Sequence, residues 1–281
     1  MNYRHIYHAG NFLDVVKHFV LTTLLQKFHE KENAFSIIDT HAGIGAYQLD
    51  SIQALKTNEA QQGILKLLHS PHDKSLFENY LRIIHAQKPG IYPGSPLIFR
   101  AFLRSQDRLW LSELHPEDFK SLNQIFHKDP QVKVFHQDGY VSLKALLPPK
   151  ERRGLILIDP PFEDRHEFKA LTEGLYESYK RFSTGVYMIW FPIKDLKPIK
   201  KFYASLRELE IPKILAVEFL RHQPTIAEML NGTGLIIVNP PWKLEEKMVP
   251  ALEALLKIFE FKQGYVRLEW LSEEFSFKKV T

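Results

Sequence analysis

The chain has 281 residues, 44% hydrophobic and 25% charged, the balance of a folded, enzyme-sized domain with one large core. It contains no cysteine, which excludes disulfides, thiolate metal sites and a cysteine nucleophile. A formal charge of +4 permits a polyanionic partner without specifying one. The start, Met1-Asn2-Tyr3-Arg4-His5, is polar, and no apolar run approaches the roughly 18 residues needed to span a bilayer, so a cytoplasmic protein with no membrane contact is expected.

The first predicted element is an amphipathic helix over Asp14–His29, with Val15, Val16, Phe19, Val20, Thr23 and Leu24 on or near one face, expected to pack on the edge of a sheet. Seven apolar or β-branched runs then predict strands: Phe35–Asp39, Leu109–Glu113, Val132–Gln137, Gly154–Asp159, Gly185–Phe191, Lys213–Phe219 and Gly234–Asn239. Stretches of helical periodicity, such as Leu171–Phe182 and Ile199–Leu209, lie between most of them. This alternation predicts an α/β protein, a seven-stranded doubly wound sheet with ligands at the carboxyl ends of its strands. The interval from Asp39 to Leu109 is too long for an ordinary unit, which repeats after about 30 residues. It holds helix-like segments over Glu59–Leu68 and Lys74–Ala86 and closes in a Pro-Gly-rich run, Lys88–Pro96. The spacing predicts a small helical subdomain, residues 48–92, inserted into a single domain.

Three strand ends carry acids. Asp39 leads into the small-residue loop Thr40-His41-Ala42-Gly43-Ile44-Gly45, which lets a ligand approach the backbone closely. Glu113 ends the second strand, where a carboxylate can accept both hydroxyls of a ribose. Asp138-Gly139 ends the third, with a carboxylate and an amide suited to the edge of an adenine. In this order the acids fit an adenosine-bearing, positively charged cofactor, and the phosphate cradle G-x-x-x-x-G-K-[ST] is absent.

The fourth strand runs into Asp159-Pro160-Pro161-Phe162. Consecutive prolines fix the loop and remove two donors, leaving a carboxylate, a prolyl carbonyl and an aromatic face. An exocyclic amine offers two N–H donors to two such acceptors while the base stacks on the ring. A second tetrad, Asn239-Pro240-Pro241-Trp242, ends the last strand; lying further across the sheet, it is expected to be structural or substrate-facing. Lys150-Glu151-Arg152-Arg153 and the cluster from Lys194 to Lys201 are either phosphate contacts or solvated loops.

These residues resemble the class I amino-methyltransferases, whose D/N-P-P-Y/F/W tetrad serves adenine-N6 or related amine methylation. Nearly end to end, the chain is similar to the bacterial 23S ribosomal RNA adenine-N6 methyltransferase family known as RlmJ. The likeness rests on Tyr3-Arg4-His5, His8-Ala9-Gly10-Asn11, Asp14-Val15-Val16-Lys17-His18, Asp39-Thr40-His41-Ala42-Gly43, Tyr92-Pro93-Gly94-Ser95-Pro96, Glu113-Leu114-His115-Pro116, the segment Arg152–Pro161, and Asn239-Pro240-Pro241-Trp242-Lys243. The resemblance implies S-adenosylmethionine as cofactor, with contacts at Lys17 or His18, His41, Gly43, Ser95, Glu113, Asp138 with Gly139, and Asp159. It implies catalytic roles for Asp159, Pro160 and Phe162, and substrate contacts at Tyr3, Arg4 and Phe162. Phe162 stands where the family usually has Tyr, which keeps the stacking face and loses the hydroxyl.

The reaction so implied is in-line attack of an adenine N6 in 23S ribosomal RNA on the sulfonium methyl, leaving S-adenosylhomocysteine. Thirteen histidines show no H-E-x-x-H or comparable spacing, so no metal is expected. A monomer is expected. The other readings are a DNA adenine or protein glutamine methyltransferase, which share the chemistry, and a non-catalytic RNA-binding module.

Overall fold

The computed structural model describes residues 4–222 and 230–272. In chain order the elements are α1 (Phe12–His29), β1 (Ser36–Asp39), β2 (Ala46–Gln48), α2 (Ile52–Thr57), α3 (Ile64–His69), α4 (Glu78–His85), β3 (Ile91–Pro93), α5 (Ser95–Phe102), β4 (Arg108–Glu113), α6 (Pro116–Phe126), β5 (Val132–His136), α7 (Gly139–Leu146), β6 (Gly154–Ile158), α8 (Glu167–Arg181), β7 (Val186–Ile193), α9 (Leu196–Glu208), β8 (Ile214–Leu220), β9 (Gly232–Val238), α10 (Leu244–Ile258) and β10 (Tyr265–Ser272). The main sheet has the order β10-β8-β9-β7-β6-β1-β4-β5. β1 pairs in parallel with both β4 and β6, so the order reverses around β1, and ligands of such sheets bind in the crevice at that reversal.

The seven expected strands are present, and β10 makes eight, one more than expected. β10 pairs antiparallel with β8 at the edge, and its charged Arg267 and Glu269 alternate with Val266, Leu268 and Trp270. A half-solvated edge strand of this kind lacks the continuous apolar run that marks β6, β8 and β9, buried along their whole length. β9 runs antiparallel to both neighbours. Its end therefore lies on the opposite edge of the sheet from the ends of β1, β4, β5, β6 and β7.

Two apolar layers cover the sheet, one drawn from α1, α5, α6 and α10, the other from α7, α8 and α9. α1 does not lie at the edge of the sheet as expected. It is buried almost all round and packs on α10, α5, α4 and β9. Its first turn is capped by Asn11, whose side chain accepts from the Asp14 amide at 2.9 Å. The far end is held by Arg153, which donates to the carbonyls of Phe28 and Asn33 and stacks on Phe28. Arg153 is thereby committed to a helix end.

Between the small β2–β3 ribbon lie α2, α3, α4 and short 3₁₀ turns. This segment meets the start of α1 closely: the Ile64 amide donates to the Gly10 carbonyl at 2.8 Å, and a Cβ on Gly63 would stand 2.1 Å from that carbonyl oxygen. Only glycine permits this approach. Among the described residues no helix is long and apolar enough to cross a membrane.

Candidate active site

The carboxyl ends of β1, β4, β5 and β6 open into a cleft of about 780 Å³. It is lined by Lys17, His18, His41, Gly43, Ser95, Glu113, Asp138, Gly139, Asp159, Pro160 and Phe162, so residues spread over 146 positions of sequence meet in one place. Tyr3 lies outside the described residues. Arg4 does not line the cleft; its guanidinium pairs with Glu117 at 2.9 Å and Asp118 at 3.0 Å on α6. These two pairs tie the residues just before α1 to α6.

The strand-end acids are committed in different ways. Asp39 is fully buried, accepts from the Ser95 hydroxyl at 2.7 Å and from the His41 amide at 3.3 Å. Burial pushes its carboxyl up to about 7. Glu113 accepts from the Gly43 amide at 2.8 Å on one oxygen and from the His115 amide at 2.7 Å on the other; each oxygen keeps a second lone pair, and burial raises its carboxyl. Asp138 caps α7 through one oxygen, accepting from Tyr140 and Val141 amides. Its other oxygen has no hydrogen bond to a described residue. Gly139 is pressed against β1's loop: a Cβ there would stand 2.4 Å from the Thr40 carbonyl oxygen.

Asp39 yields a pH prediction. Its ordinary value is 3.8 and its folded value about 7, so between them the unfolded chain has released a proton that the folded chain still binds. Stability contributed by this group therefore falls as pH rises through that window and is level above it. Asp39→Asn should raise the melting temperature relative to the parent protein at pH 8 and leave it unchanged at pH 4, as read by calorimetry at both pH values. A variant equally or less stable at pH 8 would show that the folded protein carries the Asp39 charge without that penalty.

Beside these acids lies a buried charged chain. The Lys17 ammonium donates to Asp159 at 2.7 Å and contacts Asp14 at 3.0 Å, and it lies 5.7 Å from the centre of the Trp190 ring. Asp14 in turn accepts from His5 at 2.8 Å and from the Gly10 amide at 2.9 Å. Burial alone would depress the lysine, but Asp14 and Asp159 outweigh it and hold the ammonium charged. Burial likewise opposes ionisation of Asp14, and His5 and Lys17 overcome it, keeping that carboxyl well below its usual range. The two neighbouring imidazoles go the other way: burial pulls His18 down to about 3 and His41 to about 4, so both are neutral at physiological pH. His18 is further locked by the Tyr92 hydroxyl at 2.7 Å.

In the tetrad, Phe162 takes a left-handed φ of 52°, with its ring edge-on to Phe168 at 5.1 Å and Trp190 at 6.0 Å. Asn239, by contrast, donates its side-chain amide to the Ser183 and Gly185 carbonyls at the start of β7. Because β9 is antiparallel, this second tetrad sits at the far edge of the sheet, away from the cleft, where Asn239 ties the end of β9 to the start of β7. Sequence reasoning missed Asp14, Trp190 and Asp118 as parts of the cleft. Asp14 reads as a helix first-turn acid and Trp190 as one more apolar residue of a strand run. Among the described residues no group of three or more acids and histidines is arranged to hold a metal ion.

The family model described as ribosomal RNA large subunit methyltransferase D, RlmJ, matches residues 32–272. The chain belongs to the RlmJ family. Among its relatives, the ribosomal RNA large subunit methyltransferase J of Escherichia coli (strain K12) is 40% identical over 279 residues, covering 98% of this chain and 100% of that one. The protein of the same name from Haemophilus influenzae is 38% identical over 280 residues, with 98% and 100% covered. The crystal structure of protein LPL1258 from Legionella pneumophila str. Philadelphia 1 is 36% identical and superposes with a TM-score of 0.86 over 94% of this chain and 98% of its own. Membership of the RlmJ family and the strand order around β1 make this a class I methyltransferase fold.

Proposed function

We propose that this chain is an S-adenosylmethionine-dependent methyltransferase that modifies the N6 amine of an adenine in large-subunit ribosomal RNA. The observation that carries the reading is the Asp159-Pro160-Pro161-Phe162 tetrad at the end of β6, opening beside Glu113 and Asp138 at the ends of β4 and β5, with Asp39 buried behind Ser95 and Lys17 holding Asp159. The RNA class follows from the names of the curated relatives.

The cleft fits the cofactor on chemical grounds. Glu113 would take the ribose hydroxyls on its remaining lone pairs, the unshared oxygen of Asp138 the adenine amine, and Gly139 and Gly43 the close backbone approach; Ser95 would act by holding Asp39. Neutral His41 and His18 keep further positive charge away from a sulfonium. When bound, the cofactor supplies an electrophilic methyl group. The protein's own task is positioning: Asp159 accepts one N6 hydrogen and receives the surplus proton, the Pro160 carbonyl accepts the other, and Phe162 offers its face to the base. Fixing reactants in near-attack geometry supplies on the order of 7 to 11 kcal/mol. No covalent enzyme intermediate is required. A paired adenine must leave its stack, which favours a loop, bulge or unfolded RNA as substrate.

Gly139→Ala tests the cofactor half of the reading. Overpacking against Thr40 and His41 costs about 1–3 kcal/mol, so the affinity for S-adenosylhomocysteine, measured by calorimetry, should fall about tenfold while the fold survives. Unchanged affinity would remove Gly139 from the cofactor site. The whole reading is tested by offering labelled S-adenosylmethionine with protein-free 23S RNA, assembled subunits or DNA, followed by nucleoside analysis. N6-methyladenosine in RNA is the expected product; label in DNA alone would overturn the substrate, and label in neither would overturn the activity.

A further inference from the structure

The rim of the cleft is mostly acidic, with Glu163 and Glu167 following the tetrad in the chain. On the β4–β5 side stand Glu113, Asp118 and Asp138, and the arginine that reaches it, Arg4, is neutralised by Glu117 and Asp118. On the β7 side the chain leaves the sheet through Ile193-Lys194-Asp195 and enters α9 as Leu196-Lys197-Pro198-Ile199-Lys200-Lys201. Lys194 lines the cleft itself.

α9 buries Ile199, Phe202, Tyr203 and Leu206, so helical spacing turns Lys197, Lys200 and Lys201 to the opposite, solvent face. All three, with Lys194, are exposed, and none forms an ion pair with a described residue, unlike Lys17, Lys27 and Lys66 elsewhere. The acids nearby are engaged: Asp195 caps α9 by accepting from the Lys197 amide at 2.9 Å, and Asp164 pairs with His166 at 3.2 Å. Phe168 of α8 packs on Phe202 of α9 at 4.8 Å, and Phe168 also touches Phe162. This aromatic chain ties the lysine-bearing turns directly to the tetrad. A row of exposed cations beside the target pocket, with no ion pair to a described residue, attracts phosphate and sets a direction of approach.

We propose that the phosphate backbone of the substrate RNA lies along Lys194, Lys197, Lys200 and Lys201, so that the target nucleotide enters the cleft from the β7 side. This rests on the RNA reading above and adds where the RNA is held. Each phosphate contact contributes about 0.7 to 0.9 to the slope of log affinity against log salt.

The test compares Lys197→Ala/Lys200→Ala/Lys201→Ala, Lys194→Ala and a control, Lys120→Ala/Lys133→Ala/Lys144→Ala, whose exposed lysines lie on α6, β5 and α7. Binding of protein-free 23S RNA is measured by fluorescence anisotropy over a salt series, and methyl transfer separately. The triple α9 variant should bind RNA about tenfold more weakly, with a slope shallower by about 2 to 3. Its KM for RNA should rise, while kcat at saturating RNA and the affinity for S-adenosylhomocysteine stay unchanged; Lys194→Ala should show the same signature more weakly. Parental binding by the α9 variant, or an equal loss in the control, would overturn the track. Failure of the parent protein to methylate RNA would instead overturn the functional reading, because binding is read without turnover.

Discussion

Asp159→Asn should lower the turnover number about 10²- to 10³-fold, the loss typical when one preorganised electrostatic group is removed from a reacting centre. The substitution keeps the shape of the side chain and one acceptor oxygen, and removes the charge. Asp159 is fixed by the 2.7 Å contact from Lys17, and with the carboxylate neutralised that ammonium still has Asp14 at 3.0 Å, so the variant should fold. The amide cannot take the proton that leaves N6, and its N–H₂ group can point a donor where an acceptor is needed. Single-turnover methyl transfer, with cofactor affinity measured in parallel, separates chemistry from binding. Turnover within a few-fold of the parent would show that the tetrad carboxylate does not serve the reaction.

Lys17→Met carries the second large effect. The side chains of Lys17, Asp14 and Asp159 are 6%, 2% and 15% exposed, so deleting the cation leaves two buried carboxylates facing each other without compensation. Breaking a buried pair by removing one partner costs about 3–5 kcal/mol, here opposed only in part by the His5 and Gly10 hydrogen bonds to Asp14. A large drop in denaturant midpoint is expected, together with loss of activity because Asp159 is no longer held. Lys17→Met combined with Asp14→Asn removes one orphaned charge and should recover part of the stability but none of the activity. A single variant as stable as the parent would mean that the two acids reach solvent or protons some other way.

The ionic chain from His5 through Asp14 and Lys17 to Asp159 joins the N-terminal segment, α1 and the end of β6. It explains why a helix carrying Asp14, Lys17 and His18 is buried almost all round: its polar face is turned into the cleft, where each charge has a partner. Read as a surface helix, the same residues look like an ordinary solvated face.

What the sequence by itself determined is local. Apolar or β-branched runs marked β1, β4, β5, β6, β7, β8 and β9, of which β6, β8 and β9, buried along their whole length, need no alternation, and the acids ending the first strands and the Asp159 tetrad were legible because strand-to-loop junctions carry recognisable residue types. The tertiary structure alone decided the rest. It joined Lys17 to Asp159 across 142 positions, turned Arg4 to α6, and added β10, whose alternation of charge reads as an exposed segment until β8 supplies its hydrogen bonds. It also sent β9 antiparallel, which removed Asn239 from the cleft to the far edge of the sheet. Periodicity reports which face of an element is apolar; it carries no information on which distant element will cover that face or in which direction a strand will run, and those non-local choices place every charge in the site.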